Sequence, residues 1–187
     1  MAAMKLHRGF TLIELLVSLT VAGILFAIAV PAFNSFVQND RDTGQINSLV
    51  GSLGYARSEA VKRASPNGVA ICPSADGQNC DLGPWTEGWI VKYTDPVVPG
   101  NTIVLQTIPA LSPINTVTPV GTSPPGGITF SSSGLTTLPP GGVFTLRVCD
   151  PRGAAFARQV EVLSTGRIAA SQKPGFAVDT LTALTCP

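Results

Sequence analysis

The 187-residue chain is almost without histidine, the side chain that most often carries acid–base chemistry near neutral pH. Its one histidine, His7, lies in a short polar stretch before a long apolar segment. Without another imidazole, the rest of the chain lacks the base of a Ser-His or Cys-His catalytic pair and the usual ligands of a zinc hydrolase. The sequence therefore predicts a protein that is not an enzyme, with no catalytic residues, no metal site and no cofactor.

Charge is also scarce. Charged residues make up 12% of the chain, with 12 Lys and Arg against 11 Asp and Glu. A nearly neutral protein has no overall field that would favour nucleic acid or an acidic partner. Any such affinity would have to come from a local group of basic residues.

Cysteines are few, but their number is even. The four are Cys72, Cys80, Cys149 and Cys186, and no spacing among them is C-x-x-C. After an apolar export segment, this pattern indicates two disulfides formed in an oxidising compartment. Three pairings can be drawn, and free buried thiols are the alternative. We favour Cys72–Cys80 as a local clasp, with Cys149–Cys186 holding the C-terminal tail.

What the chain has in abundance is apolar sequence near its N-terminus. Phe10 to Val30 is a run of 21 residues whose only charged side chain is Glu14. As a helix this run would span about 31 Å, close to the hydrocarbon thickness of a bilayer. A carboxylate within it costs about 2.5–3.5 kcal/mol by insertion scales, so we expect it to have a partner and a role. An ordinary signal peptide cleaved after Ala29 and a simple membrane anchor are the alternatives, and neither explains Glu14.

Helical spacing continues beyond the apolar run and stops at a proline. Pro31 predicts a kink, and apolar residues then recur at steps of three and four from Ile46 to Ala64. Pro66 disfavours helical geometry in the residue before it, so the helix should end near Ser65. Short runs of strand character follow. The candidate strands are Val69–Cys72, Gly88–Tyr93, Thr102–Ile108, Gly127–Ser131, Val143–Cys149, Gln159–Leu163 and Arg167–Ala170.

These segments divide the chain into four predicted parts. They are a leader at 1–9, an apolar half-helix at 10–30, an amphipathic half-helix at 31–65 and a β-rich globular domain at 66–187. A helix followed by antiparallel strands predicts an α+β fold with the sheet packed on the helix.

Three features within the β-rich part carry smaller predictions. The segment Pro109–Pro125 is rich in Pro, Ser and Thr, which predicts a surface loop. Trp85 and Trp89 are predicted to lie on one face of a strand and to pack in the core. The segment Asp76–Asn79 predicts a turn, because it offers too few oxygen ligands for a calcium loop.

The start of the apolar run carries the most specific motif, Arg8-Gly9-Phe10-Thr11-Leu12-Ile13-Glu14. It resembles the class III signal of type IV pilins and pseudopilins. The resemblance implies cleavage after Gly9 by a prepilin peptidase, N-methylation of Phe10 and assembly into a filament. Phe10 and Glu14 share a helix face. The basic amine of Phe10 would therefore neutralise Glu14 of a neighbouring subunit, or Glu14 of its own chain, in the apolar filament core.

Three further segments resemble the GspH/FimT family of minor pilins. They are Tyr55–Arg63, the stretch from Cys72 through Trp85–Val91, and Val160–Ile168. The resemblance implies the type IV pilin fold, a long N-terminal α-helix packed on a C-terminal antiparallel β-sheet domain. It also implies a minor pilin that helps to initiate or cap a type IV pilus. The paired cysteines favour this branch over the alternative, a type II secretion pseudopilin of the GspH type.

The same resemblance implies partners and a location. The partners would be other major and minor pilins, a prepilin peptidase and the bacterial inner membrane. The globular domain would lie in the periplasm before assembly and in a pilus at the cell surface afterwards.

DNA is a further implied partner, because some minor pilins of this family bind it in natural transformation through a Gly-Arg-x-Arg motif. The matching residues here are Gly166-Arg167-Ile168-Ala169, which lack the second arginine. We therefore expect at most weak, sequence-independent binding. The candidate contacts are Arg152, Arg158, Arg167 and Lys173.

Overall fold

A computed structural model describes residues 10–98, 100–111 and 115–186. The predicted leader at 1–9 lies outside the described residues. The described chain forms two compact units, which divide between Asp40 and Arg41. One long helix, α1 at Leu12–Arg63, begins in the first unit and ends in the second.

Helix α1 runs two residues short of its predicted end. Lys62 and Arg63 occupy its last turn, where cations interact favourably with the helix dipole. Ala64 then takes a positive φ of 46°, the left-handed conformation that commonly ends a helix. Pro31 lies inside the helix, and the kink expected there stays a prediction.

Eight strands follow the helix. In chain order they are β1 (Val69–Pro73), β2 (Gly88–Thr94), β3 (Thr102–Pro109), β4 (Thr116–Pro119), β5 (Ile128–Phe130), β6 (Val143–Cys149), β7 (Arg158–Leu163) and β8 (Ile168–Ala170). They form two antiparallel four-stranded sheets, one in the order β3-β2-β1-β5 and the other in the order β4-β6-β7-β8. Seven strands match the predicted ones to within one residue at either end.

The eighth strand, β4, lies where we predicted a surface loop, so that prediction was wrong for residues 116–119. Val117 is fully buried and pairs with Val148 of β6. The alternation Thr-Val-Thr is a strand pattern, but it is only three residues long and the surrounding prolines hide it. Tertiary pairing decides the conformation here.

The core of the second unit joins α1 to both sheets. The helix contributes Ile46, Leu49, Leu53, Ala56 and Ala60, all buried as the spacing predicted. The predicted face does not extend to its last members, because Val61 is half exposed and Ala64 is exposed. The buried face ends at Ala60.

Both tryptophans are fully buried in this core, but they do not share a strand as predicted. Trp85 lies in a 3-10 helix at Trp85–Glu87, and only Trp89 lies in β2. Gly88, with φ of 114°, makes the junction between the two elements. The Trp85 indole donates to the carbonyl of Pro125 at 3.2 Å and stacks at an angle on Phe144, with ring centroids 5.8 Å apart.

Two disulfides are present, Cys72–Cys80 and Cys149–Cys186, the pairing favoured from the sequence. The first closes a short clasp after β1, in which one oxygen of Asp76 accepts hydrogen bonds from the backbone N–H groups of Gln78 and Asn79. These bonds form a turn and hold the pKa of Asp76 well below its usual range. The second ties the C-terminal tail to the end of β6, where Ala177 and Leu184 are buried.

Candidate functional site

The first unit presents an exposed apolar surface along α1. Its large apolar side chains from Phe10 to Phe36 are each about half or more exposed. Monomeric soluble proteins rarely expose an apolar surface of this extent, which marks a membrane or protein contact. By length and composition, α1 could cross a membrane, a test that signal sequences near an N-terminus also pass.

Polar side chains within this surface bond to their own helix. The hydroxyl of Ser18 donates to the Glu14 carbonyl at 2.7 Å, and that of Thr20 donates to the Val17 carbonyl at 2.8 Å. The Ser35 hydroxyl bonds in the same way to the Pro31 carbonyl at 3.2 Å. These groups are satisfied without water, as an apolar surrounding requires.

Glu14 sits in the first turn of α1 and is exposed. Its backbone N–H donates to the hydroxyl of Thr11 at 3.3 Å, so Thr11 caps the helix. A threonine followed three residues later by glutamate is the capping-box spacing, which the sequence analysis missed. Thr11 therefore has a local role in starting the helix, and the role of the Glu14 carboxylate between subunits stays a prediction. Gly9, the residue before the expected cleavage point, lies outside the described residues.

The four candidate DNA-binding cations do not share one surface. Arg158 begins β7, whereas Arg167 lies in the turn after β7, where its carbonyl accepts from the Leu163 N–H at 3.0 Å. A strand of this length separates them by roughly 17 Å. Lys173 lies near the Arg158 end, since the N–H of the nearby Gly175 donates to the carbonyl of Ala157. Arg167 and Lys173 are both exposed, but at opposite ends of the sheet.

Arg152 is not available to phosphates at all. Its guanidinium pairs with Asp42 of α1 at 2.9 Å and with the adjacent Asp150, and its side chain is only 16% exposed. It also lies over the ring of Phe156, 4.1 Å from the ring centroid. The DNA-contact prediction for Arg152 is therefore replaced by a structural role.

The partners of Arg152 form a buried polar cluster that the sequence analysis did not foresee. The side-chain amide of Asn115 donates to Asp42 at 2.7 Å and to Gln45 at 2.8 Å. Burial raises the pKa of Asp42, the nearby Asp150 carboxylate raises it further, and the bonds from Asn115 and Arg152 oppose both. Asn115 and Arg152 are 73 and 110 positions away from Asp42 in the sequence, and no local sequence pattern predicts such contacts.

Clusters of His, Cys, Asp or Glu suited to a metal ion are absent from the part of the chain that the structure describes. The Asp76 turn uses its carboxylate oxygens on its own backbone and on the Asn79 amide. The described residues thus hold an exposed apolar helix surface and a globular unit with a buried polar cluster.

Comparison with known proteins agrees with this geometry. Residues 45–166 match the family described as type II transport protein GspH, and residues 4–30 match the prokaryotic N-terminal methylation motif. The solved structure of the type IV minor pilin FimU from Pseudomonas aeruginosa superposes with a TM-score of 0.55 at 20% identity. The superposition covers 76% of this chain and 98% of FimU.

Curated relatives match this chain over only about half of their own length. The type IV major fimbrial protein FimA of Dichelobacter nodosus is 31% identical over 82 residues, 44% of this chain and 45% of FimA. Fimbrial protein EcpC of Eikenella corrodens is 31% identical over 78 residues, 40% of this chain and 51% of EcpC. The matched region thus spans about half the length of these relatives.

The fold and the N-terminal motif define a type IV pilin-like protein, which confirms the predicted α+β pilin fold. The match over 45–166 takes in well over half of the chain, and the protein belongs to the GspH family. That family consists of structural pilins and pseudopilins rather than enzymes. Membership implies assembly with other pilins in a filament.

Proposed function

We propose that this protein is a minor pilin that helps to initiate or cap a type IV pilus. The observation that carries the proposal is the exposed apolar surface of α1 from Phe10 to Phe36, with Glu14 as its one charged side chain. Burying that surface between subunits supplies the driving force for assembly. The β-rich unit has no part in chemistry, and its two disulfides suit a domain that works outside the cytoplasm.

Maturation prepares the helix for assembly. A prepilin peptidase cleaves after Gly9, and N-methylation of Phe10 leaves its amine basic. In an apolar filament core, that amine neutralises Glu14 of a neighbouring subunit and thereby fixes the axial register of the two helices. Because the contact is head-to-tail and its rotation does not close, repetition gives an open filament.

The location follows from the same segment. Before assembly, the apolar helix holds the protein in the inner membrane with the β-rich unit in the periplasm. After assembly, the subunit lies in the pilus at the cell surface. Disulfides closed in the periplasm then protect the unit outside the cell.

A type II secretion pseudopilin is the competing function, and the family match to GspH is the observation that favours it. The curated relatives are fimbrial proteins and FimU is a type IV minor pilin, and these likenesses support the pilus instead. The two functions predict different losses when the protein is removed.

Deletion with complementation separates them. We expect the deletion strain to lose surface piliation and twitching, wild type and Asp40→Asn to restore both, and Glu14→Gln to restore neither. Asp40 is the matched control because it is an exposed carboxylate on the same helix beyond the apolar run. Normal pili in the deletion strain, together with a defect in type II secretion, would replace the minor pilin with the pseudopilin.

DNA binding is a second function, and the exposure of Arg167 is the observation that favours it. With Arg152 paired and Lys173 at the far end of the sheet, few phosphates can be contacted at once. We expect micromolar or weaker, sequence-independent binding, and Arg167→Gln should lower both the affinity and the salt dependence by about one phosphate contact. Titration of wild type and Arg167→Gln with duplex DNA at low salt measures this. Identical curves would remove the DNA-binding function.

A further inference from the structure

An open cavity of about 370 Å³ lies beside the last turns of α1. We call the residues that line it the Arg57 surface: Arg57, Ser58, Val61, Lys62, Ser133 and Gly134. The surface joins the helix to the turn after β5. It shares no residue with the apolar surface of the first unit or with the buried cluster around Arg152.

Arg57 is held in place before any partner arrives. Its Nε donates to the carbonyl of Gly134 at 3.1 Å, and that bond fixes the plane of the guanidinium. Its two terminal amino groups make no hydrogen bond within the described residues. A guanidinium edge with parallel N–H donors is suited to bidentate binding of a carboxylate or phosphate. Because the side chain is already ordered, binding costs less conformational entropy.

A second cation, Lys62, lines the same cavity as this guanidinium. Lys62 is 77% exposed and sits 3.6 Å from one oxygen of Glu59, whose other oxygen accepts a hydrogen bond from Arg63 at 2.6 Å. The bond from Arg63 holds the pKa of Glu59 below its ordinary value, so this carboxylate remains ionised and committed to Arg63. The Arg57 surface thus keeps an excess of positive charge.

The turn that contains Gly166 and Arg167 lies against the Arg57 surface through Gly166. A methyl group at Gly166 would overlap the carbonyl oxygen of Gly134 and lie 3.1 Å from Nε of Arg57. The turn that carries Gly166 and Arg167 is therefore packed directly on the turn that holds Arg57. Both glycines have φ near 76–77°, a conformation that favours glycine.

Exposed apolar side chains lie beside these cations. Val61 is 51% exposed and Leu135, which follows Gly134, is 49% exposed. An ordered arginine next to exposed apolar side chains is the composition of a protein-binding surface. A phosphate backbone would use the cations but leave the apolar side chains without a partner.

We propose that the Arg57 surface docks an acidic segment of another pilin subunit. A carboxylate of that segment binds the terminal amino groups of Arg57, and a neighbouring apolar side chain covers Val61 and Leu135. Lys62 and Arg167 add charge complementarity, which speeds docking and excludes basic segments. This inference rests on the proposed function and names the chemistry by which the subunit recognises its neighbour.

Zero-length cross-linking of the full chain tests the contact. Sheared filaments and membranes from complemented cells are treated with a carbodiimide, which joins an amine to a carboxylate in contact with it. We expect an amide between Lys62 and an Asp or Glu of another pilin, identified by mass spectrometry. Arg57→Gln should lower its yield about ten-fold or more, because a charge-assisted hydrogen bond is lost.

Val61 provides a matched pair of variants at one exposed helix position. Val61→Glu repels the incoming carboxylate and should abolish the adduct, whereas Val61→Lys loses the apolar contact but keeps the charge attraction and should retain more of the adduct. Lys173→Gln, at the far end of the sheet, should leave the yield unchanged. Because these positions are exposed, the fluorescence of buried Trp85 and Trp89 should confirm that each variant is folded.

The possible outcomes distinguish failure of docking at the Arg57 surface from failure of the proposed minor pilin function. Absence of this protein from sheared filaments would contradict the proposed function, and the Lys62 adduct in membranes would still test the docking. Docking is wrong if wild type gives no adduct, or if Val61→Glu and Val61→Lys give equal yields. It is also wrong if these variants alter only duplex DNA binding, which would assign the surface to nucleic acid.

Discussion

Arg152 shows how much a single side chain can connect in this fold. It lies in the loop between β6 and β7, yet it bonds to Asp42 on α1 and to Asp150 beside the Cys149 disulfide. Asn115, from the segment before β4, completes the same cluster. Removing one partner from a buried ion pair costs far more than the pair itself contributes, because the remaining charges lose their compensation.

We expect Arg152→Ala to lower the free energy of unfolding by about 3–5 kcal/mol near pH 7. Two buried carboxylates, Asp42 and Asp150, would then face each other without a cation. Chemical unfolding of the detergent-solubilised chain, followed by tryptophan fluorescence, measures the loss. Arg158→Ala is the matched control, because Arg158 is a cation at the same end of the sheet that makes no ion pair within the described residues, and it should change stability by less than about 0.5 kcal/mol.

The same cluster should make this loss depend on pH. The pKa of Asp42 is raised above its usual 3.8, so the native state binds this proton more tightly than the unfolded chain. A group of this kind contributes most below pH 3.8, and its contribution falls as pH rises through the folded pKa. Without Arg152 the pKa of Asp42 is raised further, because the charge of Arg152 lowers it. The difference in unfolding free energy between wild type and Arg152→Ala should therefore narrow as pH falls from 7 toward 4. If the difference in unfolding free energy between wild type and Arg152→Ala stays constant with pH, Arg152 does not stabilise the protein through its ion pair with Asp42.

At the scale of elements, local pattern predicts well where it is long and poorly where it is short. The helix and seven strands follow from periodicity, because each has a clear alternation or a Gly/Pro boundary. Strand β4 has only three alternating residues, and its identity comes from pairing with β6. The strand prediction for Trp85 was wrong because the chain changes conformation at Gly88, whose φ is 114°. The spacing of Trp85 and Trp89 does not reveal that change.

The C-terminal tail is tied to the end of β6 by one disulfide, and Arg147 also donates a hydrogen bond to the carbonyl of Thr185. Replacing Cys149 and Cys186 by serine removes a cross-link between residues 37 apart. The chain-entropy relation assigns it about 3.9 kcal/mol as an upper value, against about 2.6 for the shorter clasp. We expect the tail variant to lose more stability than the Cys72/Cys80 variant in fluorescence-monitored unfolding. Protease should also cut its tail first, and an unchanged tail digestion pattern would contradict this.

For the whole molecule, the N-terminal sequence predicts the class of protein. It does not predict the tertiary contacts of the globular unit. The N-terminal methylation motif consists of residues that are adjacent in sequence, so it can be recognised without the structure. The cluster at Asp42 and the surface at Arg57 are assembled from distant segments, and their partners emerge only when the sheets are in place. Conversely, Arg158 and Arg167 are close in sequence but lie at opposite ends of β7 in the fold.

The intact mass of the native protein tests the class. We expect the mass of Phe10–Pro187 with both disulfides closed and one added methyl group on the N-terminal amine. The Gly9→Leu variant, whose side chain would obstruct the peptidase, should keep the leader and its mass. A mature chain that starts after Ala29 would instead identify an ordinary secretory signal peptide.

The spacing of the two disulfides also bears on the order of events during export. Cys72 and Cys80 are eight residues apart, so both reach the oxidising side together when the β-rich unit crosses the membrane starting from the end next to the helix. They can close before Cys149 arrives, and Cys149 then meets Cys186 as the one remaining thiol. Vectorial translocation would thus select the native pairing in time, whereas refolding of the reduced, complete chain must find it among three.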